Sequence, residues 1–96
     1  MTGEEIKILR ERRLNLTQVQ LAMLVGVHPL TVSKWERGVS TPGGFQESLL
    51  EAFSQSAARA GQNSQLLGLK AAQAVVTDGL AAGLYVLLRG AFDGDR

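Results

Sequence analysis

The sequence of 96 residues predicts an all-α fold, a compact helical bundle followed by an apolar helical extension at the C-terminal end. Apolar residues recur at intervals of three and four along most of the chain, which is the period of an α-helix. Residues that start helices, Thr17 and Pro29, alternate with residues that end them, Gly26 and Gly38. Hydrophobic residues make up 45% of the chain and charged residues 20%, which is enough apolar material for a packed core.

The composition excludes several classes of protein. With no cysteine and one histidine, the chain has no disulfides and no ligand set for zinc, so we expect neither a metal nor another cofactor. The uncharged apolar stretch between Asp78 and Arg89 holds 89−78−1 = 10 residues, about half of the roughly 20 that span a membrane. Glu4 and Glu5 do not fit a signal peptide. We expect a cytoplasmic protein without a membrane segment and, since no spacing suggests a nucleophile and its base, without catalytic activity.

Residues that are typical of helix starts and helix ends predict the first three helices. Residues 3–13 carry glutamates in the first turn and arginines in the last, which the helix dipole favours. Thr17 and Gln20 have the spacing of a capping box at the start of a second helix, which Gly26 ends with a left-handed residue. A third helix begins at Pro29 and ends near Gly38. Two short helices joined by a glycine turn describe a helix-turn-helix.

The register of the third helix separates an inner face from an outer face. At about 100° per residue, Val32 and Trp35 point toward the core. The opposite face would enter the major groove of DNA, and it carries Leu30, Ser33, Lys34 and Arg37.

The segments LTQ..LA..VGV and TVSKWERG resemble the Cro and phage-repressor (XRE) family of helix-turn-helix regulators, over about residues 4–54. The resemblance implies four or five helices, a recognition helix beginning near Pro29, and a dimer on a palindromic operator. It implies that Gln18 contacts a DNA phosphate and that Arg10 and Glu36 form an ion pair between the first and third helices. Where phage repressors place glutamines that read adenines, this chain has Pro29 and Leu30, so their base preferences do not transfer.

The predicted DNA-binding residues have more than one interpretation. Lys34 and Arg37 contact bases or phosphates, or they are ordinary exposed charges. Leu30 packs on a thymine methyl group or completes the protein's own core, and His28 contacts a phosphate or serves as a weak N-cap. The full predicted set is Gln18, His28, Leu30, Thr31, Ser33, Lys34 and Arg37.

The second half predicts a fourth helix from Phe45, a linker over residues 57–64, and a C-terminal helical element over residues 65–92. Residues 1–56 would then be the DNA-binding domain. Interruption of the C-terminal helix near residues 77–79 is left open. The C-terminal element has a near-heptad apolar pattern of Leu66, Leu69, Val76, Leu80, Leu84, Leu87 and Ala91. We expect it to form a dimer through Leu80, Leu84, Leu87 and Leu88, although a fifth and sixth helix packed within one chain would also explain the pattern.

The charge is unevenly distributed. Residues 1–42 hold six basic and four acidic side chains (+2), and residues 43–96 hold four and five (−1). Together with the helix-turn-helix register and the family resemblance, this makes a homodimeric regulator the leading hypothesis, with double-stranded DNA as its partner and repression as its role. The alternative is an antitoxin that represses its own operon and binds a toxin through its C-terminal segment.

Overall fold

The computed structural model describes the backbone of residues 1–93 and the side chains of residues 1–89, and all regular elements in this part are helical. The predicted all-α fold is confirmed. None of the described helices is both long and apolar enough to cross a membrane. The helices are α1 (Gly3–Ile8), α2 (Gln18–Val25), α3 (Pro29–Glu36), α4 (Gly44–Ala60), α5 (Ser64–Asp78) and α6 (Leu80–Asp93). A π-helical turn, Leu9–Arg13, extends α1, and a 3₁₀ turn, Gly61–Asn63, joins α4 to α5.

The ends of α2 and α3 follow the local sequence signals. The Thr17 hydroxyl accepts from the Gln20 amide, and the Gln20 side chain accepts from the Thr17 amide, which completes the predicted capping box. Gly26 ends α2 with φ of 74°, a left-handed conformation that costs glycine little. α3 begins with His28 as N-cap and Pro29 in its first turn. The turn between the two helices is therefore determined by its own residues.

Residues 57–64, predicted to be a linker, are helical over most of their length. α4 continues to Ala60, and Ala57 is buried in the core. The 3₁₀ turn occupies only three residues before α5 begins. The small, polar composition misled the prediction, because alanine and serine on α4 pack against the following helices instead of ending the helix. The separation of residues 1–56 from residues 65–92 as domains stays a prediction.

Buried side chains from both halves of the chain form one hydrophobic core. Leu21 and Leu24 of α2 share it with Ala71 of α5 and Leu87 of α6. Leu87 is fully buried within a single chain, so its predicted place in a dimer interface is wrong. Leu84 and Leu88 pack partly against the same core, whereas Leu80 is 41% exposed. The side chain of Ala91 lies outside the described residues. The helix ends at Asp78, and a new helix begins at Leu80. The apolar residues are therefore divided between α5 and α6, which fold back on each other and cover the helix-turn-helix.

Two glycines allow the C-terminal helices to approach their neighbours closely. A Cβ atom on Gly68 of α5 would lie 2.0 Å from the Leu14 carbonyl oxygen. A Cβ atom on Gly83 of α6 would lie 2.1 Å from the Val75 side chain. The first contact is the more restrictive, since a backbone carbonyl cannot rotate away as a side chain can.

We predict that Gly68→Ala lowers the free energy of unfolding by about 2–3 kcal/mol, because the added methyl group overlaps the Leu14 carbonyl. Gly44→Ala is the matched control: it lies at the start of α4, with no atom within 4 Å of the added Cβ among the described residues. Urea denaturation of both variants measures the difference. Equal stabilities would show that α5 does not pack this closely on the end of the first helix.

Candidate nucleic-acid interface

One face of α3 anchors the helix and the other is presented to solvent. Val32 and Trp35 are buried in the core, at 0% and 4% exposure. Lys34 and Arg37 are exposed, and Leu30 is 51% exposed. Leu30 therefore does not complete the protein's core, which removes one of its two sequence interpretations. Thr31 and Ser33 are half-buried at the edges of the outer face.

His28 caps α3 through its imidazole ring. Its Nδ1 atom accepts a hydrogen bond of 3.0 Å from the backbone amide of Leu30. An accepting Nδ1 carries no proton, so in the neutral ring the proton is on Nε2. The ring is exposed, and Nε2 is then a hydrogen-bond donor at the N-terminus of the helix, where an anion is favoured. The cap and a phosphate contact are thus compatible, because they use different nitrogens.

Arg37 and Ser33 interact on the outer face of α3. The Arg37 Nε–H donates to the Ser33 hydroxyl oxygen at 3.1 Å. This bond uses one of the five N–H donors of the guanidinium group. It therefore orients the group and leaves the other donors available for further contacts. The two residues act as one polar unit one turn apart on the helix.

An ion pair between Arg10 and Glu36 joins α3 to the first helix, as the family resemblance implies. The guanidinium Nε lies 2.6 Å from Oε2 of Glu36, and Nη2 lies 2.9 Å from Oε1. The two side chains are 10% and 5% exposed. A third guanidinium nitrogen donates to the Leu16 carbonyl at 3.0 Å. Arg10 lies in the π-helical turn and so connects the first helix, the loop before α2, and α3.

Gln18, the predicted phosphate contact, also joins this network. Its side-chain amide donates to Oε1 of Glu36 at 3.1 Å. This bond has no signature in the sequence, because no local spacing relates the first residue of α2 to the last residue of α3. A shallow cleft lies beside it at the start of α2, lined by Arg10, Asn15, Thr17 and Gln18, among others. Asn15 in this cleft was not among the residues predicted from the sequence. Its φ of 54° is left-handed, a conformation in which asparagine is several-fold enriched.

The hydrogen bonds of the network determine the charge state of Glu36. Burial raises the pKa of the Glu36 carboxyl, but hydrogen bonds from Arg10 and Gln18, together with the positive charges of Arg10 and Lys7, lower it by more, so the pKa lies below its ordinary value. The hydrogen bond to Glu36 likewise raises the pKa of Arg10 against the opposing effect of burial. Both groups are therefore charged at neutral pH.

In the described part of the chain, no cluster of histidine, aspartate and glutamate side chains could hold a metal ion.

We predict that Glu36→Gln lowers the free energy of unfolding by about 3 kcal/mol at pH 7, because Arg10 then loses its buried counterion. The pKa of Glu36 is lowered in the folded state, so its stabilising effect is complete above the ordinary glutamate pKa. The effect is lost as pH falls through the lowered value. Denaturant melts from pH 7 to pH 2.5 should show the wild-type and variant stabilities converging. Glu51→Gln, at an exposed position on α4, is the control. A gap that stays constant over this range would show that the charge of Glu36 does not stabilise the fold.

Comparison with known proteins identifies the part of the chain that carries this site. Residues 6–45 match the family described as "Helix-turn-helix". The match runs from within α1 to the start of α4, and it contains Arg10, Gln18, all of α3 and Glu36. Comparison with curated proteins and with solved structures finds no significant match. Residues 6–45, which are less than half of the chain, are therefore similar to the helix-turn-helix domain of the XRE/Cro type, a family of DNA-binding transcription regulators.

Proposed function

We propose that this protein is a sequence-specific transcriptional repressor that binds a palindromic operator as a homodimer. The observation that carries the proposal is the outer face of α3, where Leu30, Lys34 and Arg37 are exposed on a helix that Val32 and Trp35 anchor to the core. An α-helix presented in this way fits the major groove of DNA. Repression needs only occupation of the operator, and the proposed interface provides that occupation.

The chemistry of the face supports a division of roles. Lys34 donates to base edges from the last turn of α3, and the apolar Leu30 packs on a thymine methyl group. Gln18 and His28 lie at the starts of α2 and α3, where main-chain amides favour an anion, and they contact phosphates. Ser33 and Arg37 act together toward the C-terminal end of α3. Thr31 lies in the first turn of α3, at the opposite edge of the outer face. Phosphate contacts set the position of the helix, and base contacts select the sequence.

The proposed dimer suits the modest charge of the protein. A net charge of +2 in residues 1–42 gives weak general attraction to DNA, so one copy would bind with little affinity. Two copies on one operator raise the affinity, because the second contact becomes intramolecular. The protein measures 38 × 26 × 22 Å, so two copies side by side are of the right size to place recognition helices about 34 Å apart, one turn of DNA.

A second candidate function is an antitoxin, which would use the C-terminal helices to bind a toxin and repress its own operon. The observation that favours it is that Leu66, Leu69 and Val76 on α5 remain exposed in a single chain. A toxin encoded next to this protein and neutralised by it would support this function over a simple repressor. Unchanged toxicity on co-expression would exclude it.

Selection of bound sequences from a random DNA pool at low salt tests the repressor. We expect an enriched inverted repeat with half-sites about 10 base pairs apart, since a two-fold dimer reads the same sequence twice. A pool with no enriched sequence after several rounds would overturn the proposal.

Variants of α3 and α2 separate base contacts from phosphate contacts. Lys34→Ala should weaken operator binding by about 1–3 kcal/mol and relax the preference at one position in each half-site. Gln18→Ala should weaken binding to all sequences alike, by about 1–2 kcal/mol, because a phosphate contact carries no sequence information. Gln55→Ala, on the exposed side of α4, is the control. Fluorescence anisotropy with the selected operator and a scrambled duplex measures both effects. A uniform loss for Lys34→Ala would reassign it to phosphate, and normal binding by Gln18→Ala would remove its assignment.

A further inference from the structure

An apolar stripe on α5 remains uncovered in the single chain. Leu66, Leu69 and Val76 are 48%, 49% and 77% exposed, and Gln73 lies between them on the same face. We call these four residues the α5 stripe. Their spacing of three, four and three residues is the a/d spacing of a helix-pairing surface. The opposite side of α5, with Gly68, Ala71 and Ala72, is already buried in the core, so no rotation of the helix could bury both sides.

Neighbouring residues widen this uncovered surface. Leu80, at the start of α6, is 41% exposed and lies beside Gly26, at the end of α2. A shallow groove runs along the α5 stripe, with Gln20 of α2 on its other side. Met23, one turn further along α2, is 38% exposed. A contiguous apolar patch of this kind marks a surface that another molecule covers.

We propose that the α5 stripe is the surface through which two copies of this chain pair. The charge pattern favours a second copy over a different protein. From residue 60 to residue 88 the chain carries only Lys70 and Asp78, so this region has no net charge. Two copies meet there without like-charge repulsion, and the surface has no charge by which to select an acidic or basic partner. The Gln73 amide is both donor and acceptor, so an interface of two copies can satisfy it with the same group from its partner.

This pairing rests on the proposed function and extends it, because it identifies the surface that makes the dimer. It also leaves the recognition helix accessible. α3 packs on α1 and α2, whereas α5 packs on α2, α4, α6 and the π-helical turn. The α5 stripe and the outer face of α3 are therefore carried by different elements, and covering one does not require moving the other.

Charge substitutions test the surface. Leu69→Asp and Val76→Asp should make the protein monomeric in sedimentation equilibrium, because each places an uncompensated charge in the interface. Both side chains are at least 49% exposed, so the circular dichroism melt should stay close to that of the wild type. Leu30→Asp is the matched control, since Leu30 is 51% exposed but lies on α3. It should remain dimeric while losing operator binding.

A cross-linking experiment tests the same surface without disturbing its apolar contacts. The chain has no cysteine, so an introduced thiol is the only one present. Gln73→Cys lies in the middle of the α5 stripe, and mild oxidation should convert most of the protein to a disulfide-linked dimer. Ser48→Cys, at an exposed position on α4, should remain monomeric on denaturing gels.

The outcomes distinguish this inference from the repressor. A wild-type protein that stays monomeric at high concentration overturns the pairing, and another protein would then cover the stripe. This conclusion holds even if the monomer binds the operator selectively. A dimer that survives both aspartate substitutions, or a Gln73→Cys protein that does not cross-link, places the interface elsewhere. A dimer abolished by Leu69→Asp, in a protein that selects no DNA sequence, supports the pairing and overturns the repressor. If both proposals hold, Leu69→Asp lowers operator affinity by about 100-fold or more.

Discussion

The position of α3 depends on the contacts of the Arg10 guanidinium group. This group binds the Glu36 carboxylate through two nitrogens and the Leu16 carbonyl through a third. One side chain thereby connects α3 to the first helix and to the loop that leads into α2. Because the pair is nearly fully buried, its net effect on stability is smaller than its attraction, since desolvation opposes it. Its main consequence is geometric: it adds a directional polar contact at the end of α3, next to Trp35, which anchors the same turn in the core.

The C-terminal helices α5 and α6 support this arrangement from the other side. α5 contacts the first helix through the close approach at Gly68, and α6 contacts α2 through Gly83 and Leu24. The helix-turn-helix is therefore held between a polar network on one side and two apolar helices on the other. This explains how a motif of two eight-residue helices is held rigid, since short helices are marginal without tertiary packing.

Sequence reasoning succeeded where structure is determined locally. The capping box at Thr17, the left-handed Gly26 and Pro29 in the first turn of α3 each act within a few residues, so their effect is visible in the sequence. The burial of Leu87 and the helical state of residues 57–64 depend on which surfaces meet after folding. A heptad pattern shows that a face will be covered, but not whether the same chain or another copy covers it. The same limit applies to the site: the Arg10–Glu36 pair was implied by a family resemblance, whereas the Gln18–Glu36 bond has no signature in the chain.

The network of Arg10, Gln18 and Glu36 explains how an acidic residue can lie so close to a surface proposed to bind DNA. An isolated carboxylate there would repel phosphates, but the negative charge of Glu36 is compensated by Arg10 and directed inward. Glu36 also accepts one N–H of the Gln18 amide, which has a second N–H to offer. Fixing the first N–H orients the amide plane, and the remaining donor then lies at the start of α2, where the helix dipole already favours an anion. The network that fixes α3 therefore also orients the Gln18 amide, the group that is proposed to contact a DNA phosphate at the start of α2.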